Sequence, residues 1–237
     1  MTTWGPEPAE IVLLHDGLGS VEQFNTFPAA LHQATGKSVM AYDRPGHGQS
    51  TPVPDRPWPV TWLQTEADRL MALQASLGIE QPTVVGHSDG GSIALVHAAR
   101  YPDAVASVVA IASHCFVEDI CFDKITGMRD DARVWAGALK AFHRDPAAIF
   151  EAWSGVWVSD AFRRWDIRPD LGSIVVPTLV MQGSEDEFAT PAMVNETVAA
   201  VGANAAPSVI EGGRHLLPQR SETEVVEAIT SFLSKLA

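Results

Sequence analysis

The chain is poor in cysteine and tyrosine, with two of each among 237 residues. Cys115 and Cys121 cannot make a disulfide framework, which suits a reducing cytoplasm, and no His or Cys partners stand at metal-ligand spacing from them. Basic residues are also scarce: 16 Lys and Arg face 29 Asp and Glu, for a formal net charge of −13. Arg163-Arg164 is the longest basic run, so the sequence has no basic patch for nucleic acid. No apolar run approaches the ~18 residues that would span a bilayer. Met1-Thr2-Thr3-Trp4-Gly5-Pro6 lacks the basic-then-apolar order of a secretory leader. These absences predict a cytoplasmic protein with neither nucleic-acid nor membrane partners; a homodimer stays open. Internal repeats, heptads and low-complexity tracts are missing as well.

What remains is an ordinary globular composition, with 46% apolar residues, 18 Gly and 16 Pro, consistent with one domain carrying an inserted segment. Glu10 to His15 is a short apolar run broken by Asp16-Gly17, which predicts a buried strand entering a loop. Phe24, Phe27, Leu31 and Ala34 give helical spacing over residues 21–34. Lys37 to Tyr42 predicts a second strand, stopped by Asp43-Arg44-Pro45-Gly46, and a proline-rich loop follows through Pro59. Leu63, Ala67, Leu70, Leu73 and Leu77 mark one face of a helix ending at Gly78. Strands are predicted again around Thr83-Val84-Val85, over 104–112, over 175–182 and over 208–211. Thr190-Pro191 reads as a helix start, and Ser221-x-x-Glu224 as a capping box for a last helix that buries Val225, Ile229, Phe232 and Leu236. Strands apolar on both faces and alternating with helices predict a mostly parallel sheet, of about six strands, covered by helices on each side.

Residues 113–172 interrupt that alternation. They hold Phe116, Phe122, Trp135, Phe142, Phe150, Trp153, Trp157, Phe162 and Trp165, half of the chain's 18 aromatics. Helical spacing without a clear strand predicts a helical cap inserted into a core of residues 1–112 and 173–237. Some of its rings, with Phe116, Trp153 and Trp157 as candidates, should line an apolar substrate cavity.

The chemistry centres on Gly86-His87-Ser88-Asp89-Gly90, a Gly-x-Ser-x-Gly between a short strand and a helix. This is the pattern of a nucleophile elbow, which lifts a serine hydroxyl above the end of a sheet. A serine hydroxyl needs a base within hydrogen-bond reach and a group that orients the base, and the elbow pattern orders them Ser, acid, His. After Ser88, the strand ending at Gln182 runs into Gly183-Ser184-Glu185-Asp186-Glu187. Asp186 is the preferred acid, with Glu185 and Glu187 as alternatives. His215, in Gly212-Gly213-Arg214-His215, is the histidine that follows the acid, and so the candidate base. His87 and His47 are read as structural. An oxyanion would be bound by the Asp89 N–H and by one N–H of the Asp16-Gly17-Leu18 loop, with Gly17 preferred to Leu18. This chemistry requires neither metal nor cofactor.

With these residues in place, the sequence resembles the α/β-hydrolase superfamily over nearly its full length. Four motifs carry the resemblance: Asp43-Arg44-Pro45-Gly46-His47-Gly48-Gln49-Ser50, the elbow, the Gly183/Asp186 pair, and His215. The resemblance implies the α/β-hydrolase fold and a serine hydrolase acting on small-molecule carboxylic esters. Gly17-Leu18-Gly19-Ser20, Pro54-Asp55-Arg56, Ser88-Asp89-Gly90-Gly91, Tyr101-Pro102 and the stretch Arg129-Asp130 to Trp135 are similar to the valacyclovir hydrolase (biphenyl hydrolase-like) group. In that group the acid after the nucleophile recognises the α-amino group of aminoacyl esters, which would make Asp89 a substrate-binding residue. C–C hydrolases of the ring-cleavage type are an alternative, although their Ser-Gly-Pro-Gly loop is missing and Leu216, not Trp, follows His215. A ligand-binding protein of low turnover is another. The chain departs from the superfamily in having Asp16 where many relatives have Gly, and Arg214 before the base. It reaches its first long strand within about ten residues, so the usual N-terminal hairpin is expected to be absent.

Overall fold

The computed structural model describes residues 1–52 and 57–236, so the Pro54-Asp55-Arg56 similarity lies outside the described residues. Its centre is one seven-stranded sheet made of β1 (Thr2–Trp4), β2 (Ile11–Leu14), β3 (Val39–Ala41), β4 (Thr83–His87), β5 (Ser107–Ile111), β6 (Thr178–Gly183) and β7 (Ala205–Ile210). The spatial order is β1-β3-β2-β4-β5-β6-β7. All pairings are parallel except β1 with β3, where Thr2 lies opposite Ala41 and Trp4 opposite Val39.

The seventh strand corrects the sequence reading of about six. β1 does not form a hairpin with β2; it crosses to the far side of β3. Three residues ending at Gly5 (φ +96°) are too few to display a period of two, so no pattern announces the strand.

Strands β2 to β6 are buried along their whole length, and their residues alternate between two apolar layers. Ile11, Leu13, Val39, Val85, Val109 and Met181 pack toward α1 (Phe27–Thr35) and the last helix. Val12, Leu14, Met40, Val84 and Val108 pack toward α2 (Trp62–Leu77) and α3 (Asp89–Arg100). Side chains that alternate across a pleated sheet serve both layers, and each fully buried Leu or Ile contributes ~1.5–3 kcal/mol.

Between β5 and β6 lie α4 (Asp119–Asp130), α5 (Ala132–Leu139), α6 (Pro146–Trp157) and the short α7 (Arg168–Leu171). A single antiparallel bridge, Phe116 to Asp166, joins the two ends of this segment. After β6 come α8 (Ala192–Val201), then β7, α9 (Leu217–Arg220) and α10 (Glu222–Ser234).

Several predicted boundaries move. The helix expected over 21–34 is a 3-10 turn at Glu22–Phe24 followed by α1, separated by Asn25 at φ +52°. The buried side of α10 is Val225, Val226, Ile229 and Leu233. Phe232 is only half-buried, and Leu236, beyond the helix end, is 44% exposed. Ser221 sits at the N-cap without a side-chain capping bond; instead its carbonyl accepts from the Val225 N–H.

Candidate active site

β4 ends at His87 and α3 begins at Asp89, leaving Ser88 alone in the turn at φ +54°, ψ −120°. A non-glycine residue there is strained, and its surroundings hold it: the Ser88 N–H donates to the Ile111 carbonyl at 2.7 Å and its own carbonyl accepts from Ser92 at 3.0 Å. A Cβ on Gly86 would collide with the Gly90 backbone, and one on Gly90 with the Leu14 carbonyl. Strand, turn and helix approach so closely that only glycine fits at both positions.

The loop after β6 carries Asp186, and the loop after β7 carries His215. Ser88 Oγ lies 2.9 Å from His215 Nε2. His215 Nδ1 lies 3.0 and 3.1 Å from the two Asp186 oxygens. A proton on Nδ1, donated to the carboxylate, leaves the Nε2 lone pair facing the serine hydroxyl. Burial works against charge on His215, but the hydrogen bond and charge of Asp186 outweigh it and raise the pKa above 6.5. Burial likewise opposes ionisation of Asp186, while His215 and the Phe188 N–H, 2.8 Å from Oδ1, hold its carboxyl below the usual range. Glu187 instead accepts the His215 backbone N–H at 3.1 Å and pairs with Arg214.

His87 lies beneath this arrangement. Its Nε2 sits 2.8 Å from the His215 carbonyl and its Nδ1 3.6 Å from Asp16, so it props the loop and does not reach Ser88. His97 is buried elsewhere, near the Ala67 carbonyl; His114 borders the same cavity, its ring centroid 6.2 Å from that of His215 and its Nε2 3.3 Å from the Phe188 carbonyl.

The Ser88 hydroxyl opens into a cavity of about 680 Å³ walled by Asp16, Gly17, Asp89, Met128, Trp153 and Trp157 among others. Trp153 and Trp157, one turn apart on α6, point their indole N–H groups at Asp89 Oδ2, at 2.9 and 3.5 Å. Burial raises the Asp89 pKa to about 6, against the opposing charge of Arg44 and the two indole donors. Gly17 is pressed against Asp89 and Trp153, and a Cβ there would overlap both. Asp16 behaves in the opposite way: burial opposes its ionisation, but His87 and the Leu18 N–H bring its pKa down to about 2.

The two candidates for the loop's oxyanion donor differ. The Leu18 N–H is already donated to Asp16 Oδ1 at 2.9 Å. Among the described residues, nothing accepts the N–H of Gly17 or of Asp89.

Phe116 corrects the sequence reading of the cavity wall. It pairs with Asp166 in the bridge and lies beneath the Arg168 guanidinium, 4.4 Å from the ring centroid, outside the cavity. Sequence reasoning missed Met128, Leu139 and Phe188 as wall residues. It also missed Arg44 and His143, which stand behind the oxyanion loop; an isolated Arg or His after an apolar run carries no periodic signal. Among the described residues no cluster of three His, Cys, Asp or Glu could hold a metal ion, and no helix is long and apolar enough to cross a membrane.

This fold and this site define a class. The family described as alpha/beta hydrolase fold matches residues 10–168, and the chain belongs to that family of hydrolases. A bifunctional esterase/perhydrolase of Acinetobacter calcoaceticus is similar to it, with 27% identity over 217 residues, 78% of this chain and 77% of that one. The human serine hydrolase BPHL is 29% identical over 189 residues, 74% of this chain. The match spans 62% of that relative's length, and the similarity is in line with the biphenyl hydrolase-like resemblance of the sequence. The enol-lactonase from Burkholderia xenovorans LB400 superimposes with a TM-score of 0.77 at 21% identity, over 98% of this chain and 95% of its own. A structure from work on carboxylesterases of the Thaumarchaeon Nitrososphaera gargenis gives 0.81 at 18% identity, over 99% and 93%. At such identities these two likenesses concern the fold.

Proposed function

We propose that this protein is a serine hydrolase that cleaves carboxylic esters of small molecules through an acyl-enzyme. The observation that carries the reading is the hydrogen-bonded series Asp186–His215–Ser88, with the serine at a strained elbow that opens into a large, mostly apolar cavity. His215 takes the hydroxyl proton as Ser88 Oγ attacks the ester carbonyl, and Asp186 holds the imidazole tautomer and stabilises the imidazolium. The N–H groups of Gly17 and Asp89 receive the oxyanion, each such donor being worth ~10²–10³ in kcat. His215 then protonates the leaving alcohol, and a water repeats the sequence on the acyl-enzyme. The chain needs no metal or cofactor for these steps.

Asp89 extends the proposal to aminoacyl esters. It adjoins the nucleophile, its carboxylate is desolvated, and a substrate ammonium beside the scissile carbonyl would pair with it directly. The experiment compares phenylalanine ethyl ester with 3-phenylpropionate ethyl ester, using Ser88→Ala as the blank. Turnover that depends on Ser88 and favours the amine supports both parts of the reading. Equal rates leave an esterase without the Asp89 anchor. No turnover, with a folded protein that a fluorophosphonate does not label at Ser88, sinks the esterase reading and favours a ligand-binding role. Labelling without ester turnover directs attention to C–C substrates.

A further inference from the structure

Behind the oxyanion loop lies a group of buried cationic and imidazole side chains that the proposed chemistry does not use. Arg44 is 1% exposed, yet among the described residues no carboxylate lies within 4 Å of its guanidinium. A buried guanidinium without a carboxylate partner opposes folding, so its position calls for a role. Its Nη2 donates to the Asp16 carbonyl at 2.7 Å and to the His15 carbonyl at 3.2 Å. His15 Nε2 accepts the Arg44 backbone N–H at 3.2 Å, which leaves the His15 proton on Nδ1, 2.8 Å from the same Asp16 carbonyl.

The next two carbonyls of the loop are held as well. His47 Nε2 lies 3.1 Å from the Gly17 carbonyl. His143 accepts the Gly48 N–H on Nδ1 at 2.9 Å, so its proton is on Nε2, which donates to the Leu18 carbonyl at 3.0 Å. Three successive carbonyls, of residues 16, 17 and 18, are therefore each held by a side chain. In a trans peptide the N–H points opposite the C=O. Fixing the Asp16 carbonyl fixes the direction of the Gly17 N–H in the same peptide unit, and that N–H has no other acceptor.

We propose that Arg44 and His143 are positioning residues that aim and polarise the Gly17 N–H from behind, making it the loop's oxyanion donor. The inference rests on the serine-hydrolase reading above. Arg44 acts through the 16–17 peptide: its charge pulls electron density toward the Asp16 oxygen and strengthens the donor at the other end. It also offsets the carboxylates of Asp16 and Asp89, which would otherwise oppose a developing oxyanion nearby. His143, in the segment between α5 and α6, acts one peptide further along: its hold on the Leu18 carbonyl orients the Gly19 N–H of the same peptide unit, which donates to the Asp16 carbonyl at 3.2 Å and adds to the polarisation of the 16–17 peptide.

The test uses Arg44→Met, Arg44→Lys, His143→Leu and His143→Gln beside the wild type, with active sites counted by fluorophosphonate labelling. Two readouts are taken: kcat and KM on p-nitrophenyl butyrate, and the inhibition constant of an aryl trifluoromethyl ketone, whose adduct carries an oxyanion. Arg44→Met is expected to lower kcat about 10–100-fold with KM within about twofold, and to weaken the ketone by the same factor. Arg44→Lys should recover part of the loss. His143→Leu should lose about tenfold, and His143→Gln, whose amide both donates and accepts, should recover most of that. A merely structural role would lower the melting temperature while leaving kcat per active site and ketone affinity unchanged, and that result overturns the proposal. If Arg44→Met does not fold, the His143 pair decides. A wild type that neither hydrolyses esters nor takes the label defeats the serine-hydrolase reading and takes the clamp with it, whereas an active wild type with unaffected variants defeats the clamp alone.

Discussion

Replacing Asp89 by asparagine should make this protein more stable, and only above a certain pH. Asp89 is 1% exposed, and burial raises its pKa from 3.8 to about 6. The folded state therefore bears no penalty below the unfolded pKa of 3.8, bears it progressively as the pH rises from there to about 6, and bears it in full above that. At neutral pH the difference corresponds to about 3 kcal/mol, at 1.36 kcal/mol per pKa unit. An asparagine keeps an acceptor for the Trp153 indole but adds an amide N–H₂ and gives up a charge at the positive end of α3. Those changes take back about 1 kcal/mol together. The net gain is about 2 kcal/mol, or roughly 4–8 °C in melting temperature for a chain of this size. Thermal and urea unfolding of both proteins from pH 4.5 to 8 would measure it. A variant no more stable than the wild type at pH 7.5 would refute the reasoning, as would an advantage that does not shrink toward pH 4.5. A confirmed gain would mean that the native chain keeps a carboxylate at a cost in stability, as expected of a group held for substrate.

Two further outcomes follow from the site. Because the His215 pKa lies above 6.5, kcat/KM should be constant at alkaline pH and fall as the pH drops through an inflection above 6.5; a pH–rate profile with its inflection well below 6.5 would contradict this. Gly86→Ala, which drives a Cβ into the Gly90 backbone, should cost at least about 3 kcal/mol or prevent folding, and a variant with an unchanged melting temperature would show that the elbow can relax.

The core of the fold was readable because its signals are long and redundant. Strands β2 to β6 are rich in Val, Ile, Leu and Ala; Ser88 follows β4, Asp186 follows β6 and His215 follows β7, so chain order alone brings them to one edge of the sheet. What was not readable lacked a pattern. β1 has three residues. On α10, Leu233 and Phe232 are adjacent apolar residues, and the true buried stripe at 225, 229 and 233 differs by one position from the one predicted. Phe116 belongs to an aromatic-rich segment, but composition does not say which way a ring faces. Gly17 is preferred to Leu18 by position in the loop alone; that the Asp16 side chain occupies the Leu18 N–H has no signature in the sequence. Arg44 and His143, 99 residues apart in sequence, converge on one loop only in three dimensions.

The segment between β5 and β6 invites treatment as an interchangeable part, since its ends meet at the Phe116–Asp166 bridge. Its contacts with the rest of the chain argue otherwise. Residues 143 to 157 touch the Leu18 carbonyl, the Gly48 N–H and the Asp89 carboxylate, and the two indoles at Asp89 sit one turn apart on a single rigid helix. A graft that shifted α6 by one residue would swing both indoles through ~100° and withdraw both from Asp89 at once. Exchanging this segment to change substrate preference would thus also alter the machinery beneath it, unless His143, Trp153 and Trp157 travel with their spacing intact.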